Sequence, residues 1–255
     1  MASEACCERK PAAADYNPQG RYETIAGLKT YVVGPEQSAS RAIVDVYDIF
    51  GITPQTLQGA DRLSALISDC IVLVPDFFEG SGANPAWFGN NADPEAKAAM
   101  SEFRSTKAKP ARNVAALARI REEAGRRWPR VEQNVGVFGL CWGGKIAALA
   151  CGEDNRGAGR KFTVSGTAHP ARLEAKDVEA LNVPYICLAS PGEPADVVAQ
   201  IKEILSRPGR VGEVETYGSM FHGWMGARAN LADEKNREEY ERGYQQVADF
   251  YAKHL

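Results

Sequence analysis

The chain has 255 residues, of which 44% are hydrophobic and 25% charged, and its formal net charge is −3. These values are ordinary for a globular protein, and a near-neutral balance without a basic run gives no electrostatic case for nucleic-acid binding. No stretch approaches the roughly 18 apolar residues that cross a bilayer, so we expect no membrane partner.

Residues 1–20 are interpreted as an N-terminal arm, and residues 21–255 as one domain. The arm has no apolar core after its charged residues, which argues against a secretory signal. We therefore expect an intracellular, cytoplasmic protein whose six cysteines are thiols, including the adjacent Cys6 and Cys7.

Strand and helix signals alternate along the chain. An antiparallel hairpin is predicted from RYETI and LKTYVVG, and further strands at 42–47, 70–76, 134–139, 162–168, 183–190 and 213–218. Helices are predicted from Thr53-Pro54 to about Ser68 and at 94–104, 111–127, 145–150, 195–206 and 233–253. This alternation predicts an α/β fold with a mostly parallel central sheet and helices on both faces. Ligands bind such sheets beyond the carboxyl ends of the strands.

The most informative segment is Gly139-Leu140-Cys141-Trp142-Gly143-Gly144, between a predicted strand and a predicted helix. A nucleophile elbow has this form, because the strained turn requires small residues two positions before and two after the nucleophile. The helix N-terminus favours a thiolate at Cys141, and the N–H of Trp142 is a candidate oxyanion donor.

Two other interpretations of this segment are open. Cys141 could be a buried thiol in a glycine-rich turn. The run from Gly139 to Lys145 also matches the phosphate-loop pattern G-x4-G-K. However, Ile146 stands where that pattern needs Ser or Thr, and Trp142 is bulky for a loop that wraps phosphate. The elbow is favoured because three glycines surround one thiol.

His222 is the predicted base among the three histidines. It follows the last predicted strand, in a loop able to fold over the elbow, which agrees with the order nucleophile, acid, histidine. His169 precedes every candidate acid, so we expect it to pack or to form a hydrogen bond near the pocket rim. His254 lies in the last turn of the C-terminal helix, where a histidine interacts favourably with the helix dipole.

The predicted acid lies in the loop SPGEPAD, directly after the strand VPYICLAS. Its task is to accept the histidine N–H and to stabilise the imidazolium. Glu193 is preferred because it is closer to the strand end. Asp196 is the second choice, since it could instead cap the helix that follows.

Taken together, the chain resembles the dienelactone hydrolase family of cysteine-dependent α/β-hydrolases, and in particular its fungal branch. The resemblance extends from GRYETIAGLKTYVVG through YDIFG, VPDFFEG, GLCWGG and AHP to FHGW. It implies an α/β-hydrolase fold over nearly the whole chain.

The resemblance also implies roles for residues away from the elbow. Asp48 stands where the family carries an acid that pairs with the resting thiol and can take its proton; the alternative is an acid that closes a turn. The N–H of Ile49 would be the second oxyanion donor. Arg228 resembles an arginine that holds a substrate carboxylate, although an exposed loop arginine is the alternative.

Two features depart from the family pattern. Glu193 stands where the family usually has an aspartate, and the segment after VPDFF lacks the arginine that bacterial members use as a second carboxylate clamp. Aromatic residues predict a more aromatic pocket, the alternative being core and loop packing: Trp87, Phe88, Trp142 and Trp224.

The function implied is a carboxylic ester hydrolase that opens an ester or enol lactone through a Cys-His-acid triad and an acyl-thioester. A thiolate is a good leaving group, so cysteine suits activated esters and enol lactones better than amides. The alternatives are a lactone- or polyketide-processing cyclase or isomerase on the same fold, and a non-catalytic small-molecule binder. We expect a small-molecule substrate, no cofactor, no metal, and a monomer or homodimer.

Overall fold

The computed structural model describes residues 9–89, 92–152 and 159–255; Cys6 and Cys7 lie outside these residues. Eight strands form one sheet in the order β1-β2-β4-β3-β5-β6-β7-β8. Their bounds are β1 Arg21–Ile25, β2 Leu28–Val33, β3 Arg41–Val46, β4 Cys70–Pro75, β5 Val135–Leu140, β6 Val164–Ala168, β7 Tyr185–Ala189 and β8 Gly212–Thr216.

The sheet is parallel except at one edge. β1 and β2 form the predicted hairpin, and β2 also pairs antiparallel with β4. From β4 through β3, β5, β6 and β7 to β8, every neighbouring pair is parallel. The predicted α/β class with a mostly parallel sheet is confirmed. The fold also brings the carboxyl ends of β3, β5, β6 and β7 side by side.

Helices cover the sheet, and several begin with the expected caps. Their bounds are α1 Pro54–Leu66, α2 Pro94–Ser105, α3 Pro110–Arg127, α4 Trp142–Ala150, α5 Ala175–Glu179, α6 Ala195–Leu205 and α7 Glu234–His254. The side chain of Thr53 accepts a hydrogen bond from the N–H of Thr56, which fixes the start of α1 as predicted. In the described residues no helix is long and apolar enough to cross a membrane.

The central strands are buried on both faces, as parallel strands between two helical layers must be. Every residue of β4 and β5 is buried. The remaining cysteines away from the elbow, Cys70, Cys151 and Cys187, are buried free thiols, and burial raises their pKa values. They act as small apolar side chains rather than reactive groups.

The arm segment 9–20 contains no helix or strand, yet hydrogen bonds attach it to the rest of the chain. The N–H of Ala12 donates to the carbonyl of Ala227 at 2.9 Å, and the side chain of Gln55 donates to the Ala12 carbonyl at 2.9 Å. The hydroxyl of Tyr16 donates to Asp61 at 2.6 Å. The division of the chain into an arm and one domain stays a prediction.

Candidate active site

Cys141 lies at the corner between β5 and α4 with φ 52° and ψ −110°, in the left-handed region that few non-glycine residues adopt. A Cβ atom at Gly143 would lie 1.9 Å from the carbonyl oxygen of Val46, and one at Gly139 would lie 2.2 Å from the carbonyl oxygen of Gly143. The glycines are therefore required because backbone passes where a side chain would be. The elbow geometry expected from the sequence is present.

His222 connects Cys141 with Glu193. Its Nε2 lies 3.1 Å from the Sγ of Cys141, and its Nδ1 lies 2.6 Å from the Oε1 of Glu193. The second carboxylate oxygen of Glu193 accepts the N–H of Ser190, which holds the carboxylate at the end of β7. All three side chains are buried. Asp196, the second choice for the acid, is exposed in the first turn of α6.

Asp48 is buried directly after β3, and both of its oxygens accept backbone hydrogen bonds. The N–H of Phe50 donates to Oδ1 at 2.9 Å, which closes a turn, and the N–H of Ala227 donates to Oδ2 at 2.7 Å. Burial raises the pKa of this carboxyl. Asp48 therefore ties the end of β3 to the loop that carries His222.

His169 lies beside His222, closer to the site than the rim position expected from its order in the chain. The two ring centroids are 5.4 Å apart and the rings are nearly perpendicular. His169 is fully buried at φ 40°, and neither ring nitrogen has a hydrogen-bond partner among the described residues. Burial lowers the pKa of His169 well below its usual value, so its ring is neutral.

A cavity of about 270 Å³ opens in front of Cys141. Ile49 and Trp142, whose N–H groups are the candidate oxyanion donors, both line it, together with Phe88, Arg104, Ala108, Pro110, Lys145, Ala171, Arg172 and Glu174. Lys145 donates to Glu174 at 3.0 Å and to Asp177 at 2.5 Å. Its charge is therefore balanced by protein carboxylates, contrary to what a phosphate loop requires.

The aromatic residues expected in the pocket separate into two groups. Phe88 and Trp142 line the cavity, and Trp87 lines a neighbouring one. Trp224, in contrast, is fully buried and stacks on Tyr217 with ring centroids 4.4 Å apart. Its placement in the core agrees with the alternative of packing and differs from the expectation of a pocket residue.

Arg228 is buried and faces the arm. Its Nε donates to the carbonyl of Arg9 at 2.6 Å, and its guanidinium lies over the ring of Phe50, 5.2 Å from the centroid. It lines a different cavity, with Arg9 and Phe221, and is not among the residues that surround Cys141. The expected substrate contact of Arg228 stays a prediction.

Sequence reasoning missed the two arginines in the cavity wall. Arg172 follows β6 at the carboxyl edge of the sheet, where the general rule for parallel sheets could have drawn attention to it. Arg104 carries no such signal, since it is one of several polar residues on α2. Only the packing of α2 against the loop after β4 brings it to the cavity.

Comparisons with known proteins identify the family of the chain. A model of the dienelactone hydrolase family matches residues 28–255. Two uncharacterized AIM2 family proteins of Schizosaccharomyces pombe are 31% and 30% identical to the chain. The alignments cover 97% and 96% of this chain and 98% of each relative.

Solved structures share the fold. The crystal structure of dienelactone hydrolase from Anabaena variabilis superposes with a TM-score of 0.66 at 14% identity, covering 93% of this chain and 99% of that one. An acylaminoacyl peptidase from Pyrococcus horikoshii gives a TM-score of 0.61 at 11% identity, covering 92% of this chain and 41% of that one. At such low identity the likeness shows the α/β-hydrolase fold alone.

Proposed function

Because the chain belongs to the dienelactone hydrolase family, we propose that it hydrolyses a small ester or enol lactone with Cys141 as the nucleophile. The proposal rests on the two contacts of the His222 ring, with the thiol of Cys141 on one side and the carboxylate of Glu193 on the other. A nucleophile, a base in hydrogen-bond reach and a third group that orients the base are the signature of covalent catalysis.

Acylation begins when His222 holds the proton of the Cys141 thiol as an imidazolium. The thiolate attacks the carbonyl carbon, and the negative charge moves onto the carbonyl oxygen. The backbone N–H groups of Trp142 and Ile49 are the donors for this oxyanion. The bond to the alcohol or enol oxygen then breaks, that oxygen takes the proton from His222, and an acyl-thioester remains on Cys141.

Deacylation uses the same groups in reverse order. His222 takes a proton from water, and the resulting hydroxide attacks the thioester carbonyl. The carbon–sulfur bond breaks and releases the carboxylic acid, while Cys141 returns as a thiolate beside the imidazolium. Glu193 accepts the N–H of His222 throughout, so that the ring keeps the tautomer and orientation that both steps need.

The substrate contact expected for Arg228 is replaced in our proposal by a structural role. Its bonds to the arm, together with the bond from Ala227 to Asp48, fix the loop that carries His222. Asp48 acts mainly through this loop, and its proton exchange with the thiol stays a prediction from the family resemblance.

The experiment is hydrolysis of p-nitrophenyl acetate before and after alkylation with iodoacetamide. We expect alkylation at Cys141 to abolish turnover, and we expect Cys141→Ala to be inactive. Cys151→Ala is the matched control because that thiol is fully buried away from the cavity. A Cys141→Ala variant that keeps the wild-type rate of hydrolysis would refute the proposal. If Cys141 reacts with iodoacetamide only as fast as an ordinary thiol and no ester is hydrolysed, a non-catalytic binding protein would be favoured.

A further inference from the structure

A second cavity lies next to the cavity at Cys141 and shares part of its wall. Phe88, Arg104 and Arg172 line both cavities. The second has a volume of about 620 Å³. It is also lined by Trp87 and by residues of α2, among them Lys97, Met100 and Ser101. A ligand of Cys141 that extended past the shared wall would therefore enter the second cavity.

The wall between the two cavities is positively charged. The residues that line the second cavity include three basic side chains, Lys97, Arg104 and Arg172, and no acidic one among the residues described there. In the first cavity the ammonium of Lys145 is already bound to Glu174. Guanidinium groups match carboxylate geometry through paired N–H donors, so an anionic group is the natural ligand of this wall.

The elbow itself fixes the position of Arg172. The N–H of the preceding residue, Ala171, donates to the carbonyl of Cys141 at 3.0 Å, and Arg172 adopts φ 57°. The main chain of Arg172 has little freedom, because its φ lies in the left-handed region and the preceding residue is hydrogen-bonded to Cys141. The side chain of Arg172 therefore projects from a point set by Cys141.

Two aromatic side chains form an aromatic floor: Phe88 lines both cavities and Trp87 lines the second. The rings of Phe88 and Phe50 lie 5.3 Å apart, and those of Trp87 and Phe103 lie 5.9 Å apart. Phe103 also packs against Phe78 at 5.0 Å, which joins this floor to the core. Phe88 and Trp87 therefore present apolar surface beside Arg104 and Arg172.

We propose that the second cavity binds the distal end of an elongated ester, and that this end carries a carboxylate held at Arg104 and Arg172. The inference rests on the proposed function, since the ester carbonyl of the same molecule must lie at Cys141. It adds that the substrate has two parts, an ester group at the thiol and an acidic terminus joined to it by an apolar segment.

The test uses matched p-nitrophenyl esters that differ only at the far end of the acyl chain. One set consists of mono-p-nitrophenyl esters of succinate, glutarate, adipate and suberate, and the other has the terminal carboxylate capped as a methyl ester. We expect kcat/KM to favour the free acid about tenfold at one chain length in this series, because only one length brings the carboxylate to the guanidinium groups.

Variants separate the charge from the fold. In Arg172→Gln the ratio of kcat/KM for the free acid to kcat/KM for the capped ester should fall about fivefold or more. Arg104→Gln should have the same effect, and Arg172→Glu should favour the capped ester. Arg119→Gln is the matched control, because Arg119 is an exposed helical arginine that lines neither of these cavities.

Two results would overturn the inference. Equal kcat/KM for acid and capped esters at every length, with turnover still dependent on Cys141, would remove the distal site and leave the proposed function intact. If no ester is hydrolysed, calorimetric titration of Cys141→Ala with the intact glutarate, adipate and suberate esters tests the distal site independently, because it measures the affinity for the acid and capped forms directly. Equal affinity for acid and capped forms there would refute the distal site as well.

Discussion

Glu193 is bound on both sides of its carboxylate, by His222 and by the N–H of Ser190. We predict that Glu193→Gln lowers kcat by about 10²–10⁴-fold, because an amide presents a donor or a weaker acceptor to His222 and destabilises the imidazolium. Asp196→Asn, three residues away and exposed, should retain the wild-type rate. Steady-state hydrolysis of p-nitrophenyl acetate measures both, and equal losses in the two variants would exclude the assignment.

His169 places two unpartnered ring nitrogens in a fully buried position. An unsatisfied buried polar group destabilises a protein by about 1–3 kcal/mol, so His169→Phe should raise the free energy of unfolding and Tm. The gain should be larger at pH 5.5 than at pH 8. At pH 5.5 the unfolded chain binds a proton at residue 169, whereas the folded chain, in which burial lowers the pKa, does not.

Denaturant unfolding at the two pH values checks this prediction for His169→Phe. A loss of stability at both pH values would show that the nitrogens have partners that the substitution removes.

The element that sets the site is the turn between β5 and α4. A Cβ at Gly143 would lie 1.9 Å from the Val46 carbonyl, so the backbones of β3 and α4 would have to separate. We predict that Gly143→Ala abolishes folding or lowers the unfolding free energy by more than about 4 kcal/mol. Gly152→Ala is the control, because its nearest neighbour would be 3.5 Å from the added Cβ. Soluble yield and Tm distinguish the two, and a stable Gly143→Ala would contradict the account.

Short sequence patterns predicted most of the helices and strands, and they also predicted Cys141 and Glu193, the two residues that contact His222. Glycine spacing identified the turn at Cys141, and the end of a strand identified the loop of Glu193. Helix α5 was not predicted, because it is only five residues long. Helix α4 begins three residues before its predicted start, because Gly143 and Gly144 are poor helix formers and were not expected in a helix.

Contacts between distant segments were the part that local signals could not predict. Arg228 was expected at the substrate, but the carbonyl of Arg9 binds it from the far end of the chain. Trp224 is buried against Tyr217, although His222, only two residues before it, contacts Cys141. Pattern shows which residues are near a strand end, and only the packing shows which way each side chain faces.

The core of the molecule contains a carboxyl group that makes the folded chain less stable at alkaline pH than at acid pH. Asp45 of β3 is fully buried, neither of its oxygens has a hydrogen-bond partner among the described residues, and burial raises its pKa to about 8. Between about pH 4, where the carboxyl of an unfolded chain titrates, and pH 8, the folded chain holds a proton that the unfolded chain has lost. The stability from this group is therefore complete below about pH 4, falls as the pH rises from there, and is lost once the pH has passed the folded pKa of about 8.

We predict that Asp45→Asn makes unfolding free energy less dependent on pH between 5 and 8.5 than in the wild-type chain, since an amide does not titrate. The slope of stability against pH is the measurement, so a lower stability of the variant at one pH does not affect the result. An unchanged slope would mean that Asp45 is ionised in the folded chain.

Nucleophilic catalysis by Cys141 requires one covalent intermediate, an acyl-thioester on its sulfur. Wild-type protein mixed with p-nitrophenyl acetate, quenched in acid and analysed by peptide mass spectrometry should carry a single acetyl group on Cys141, and the acetyl should be absent from Cys141→Ala. Acetylation at another residue, or turnover that proceeds at the wild-type rate without the Cys141 thiol, would contradict the account.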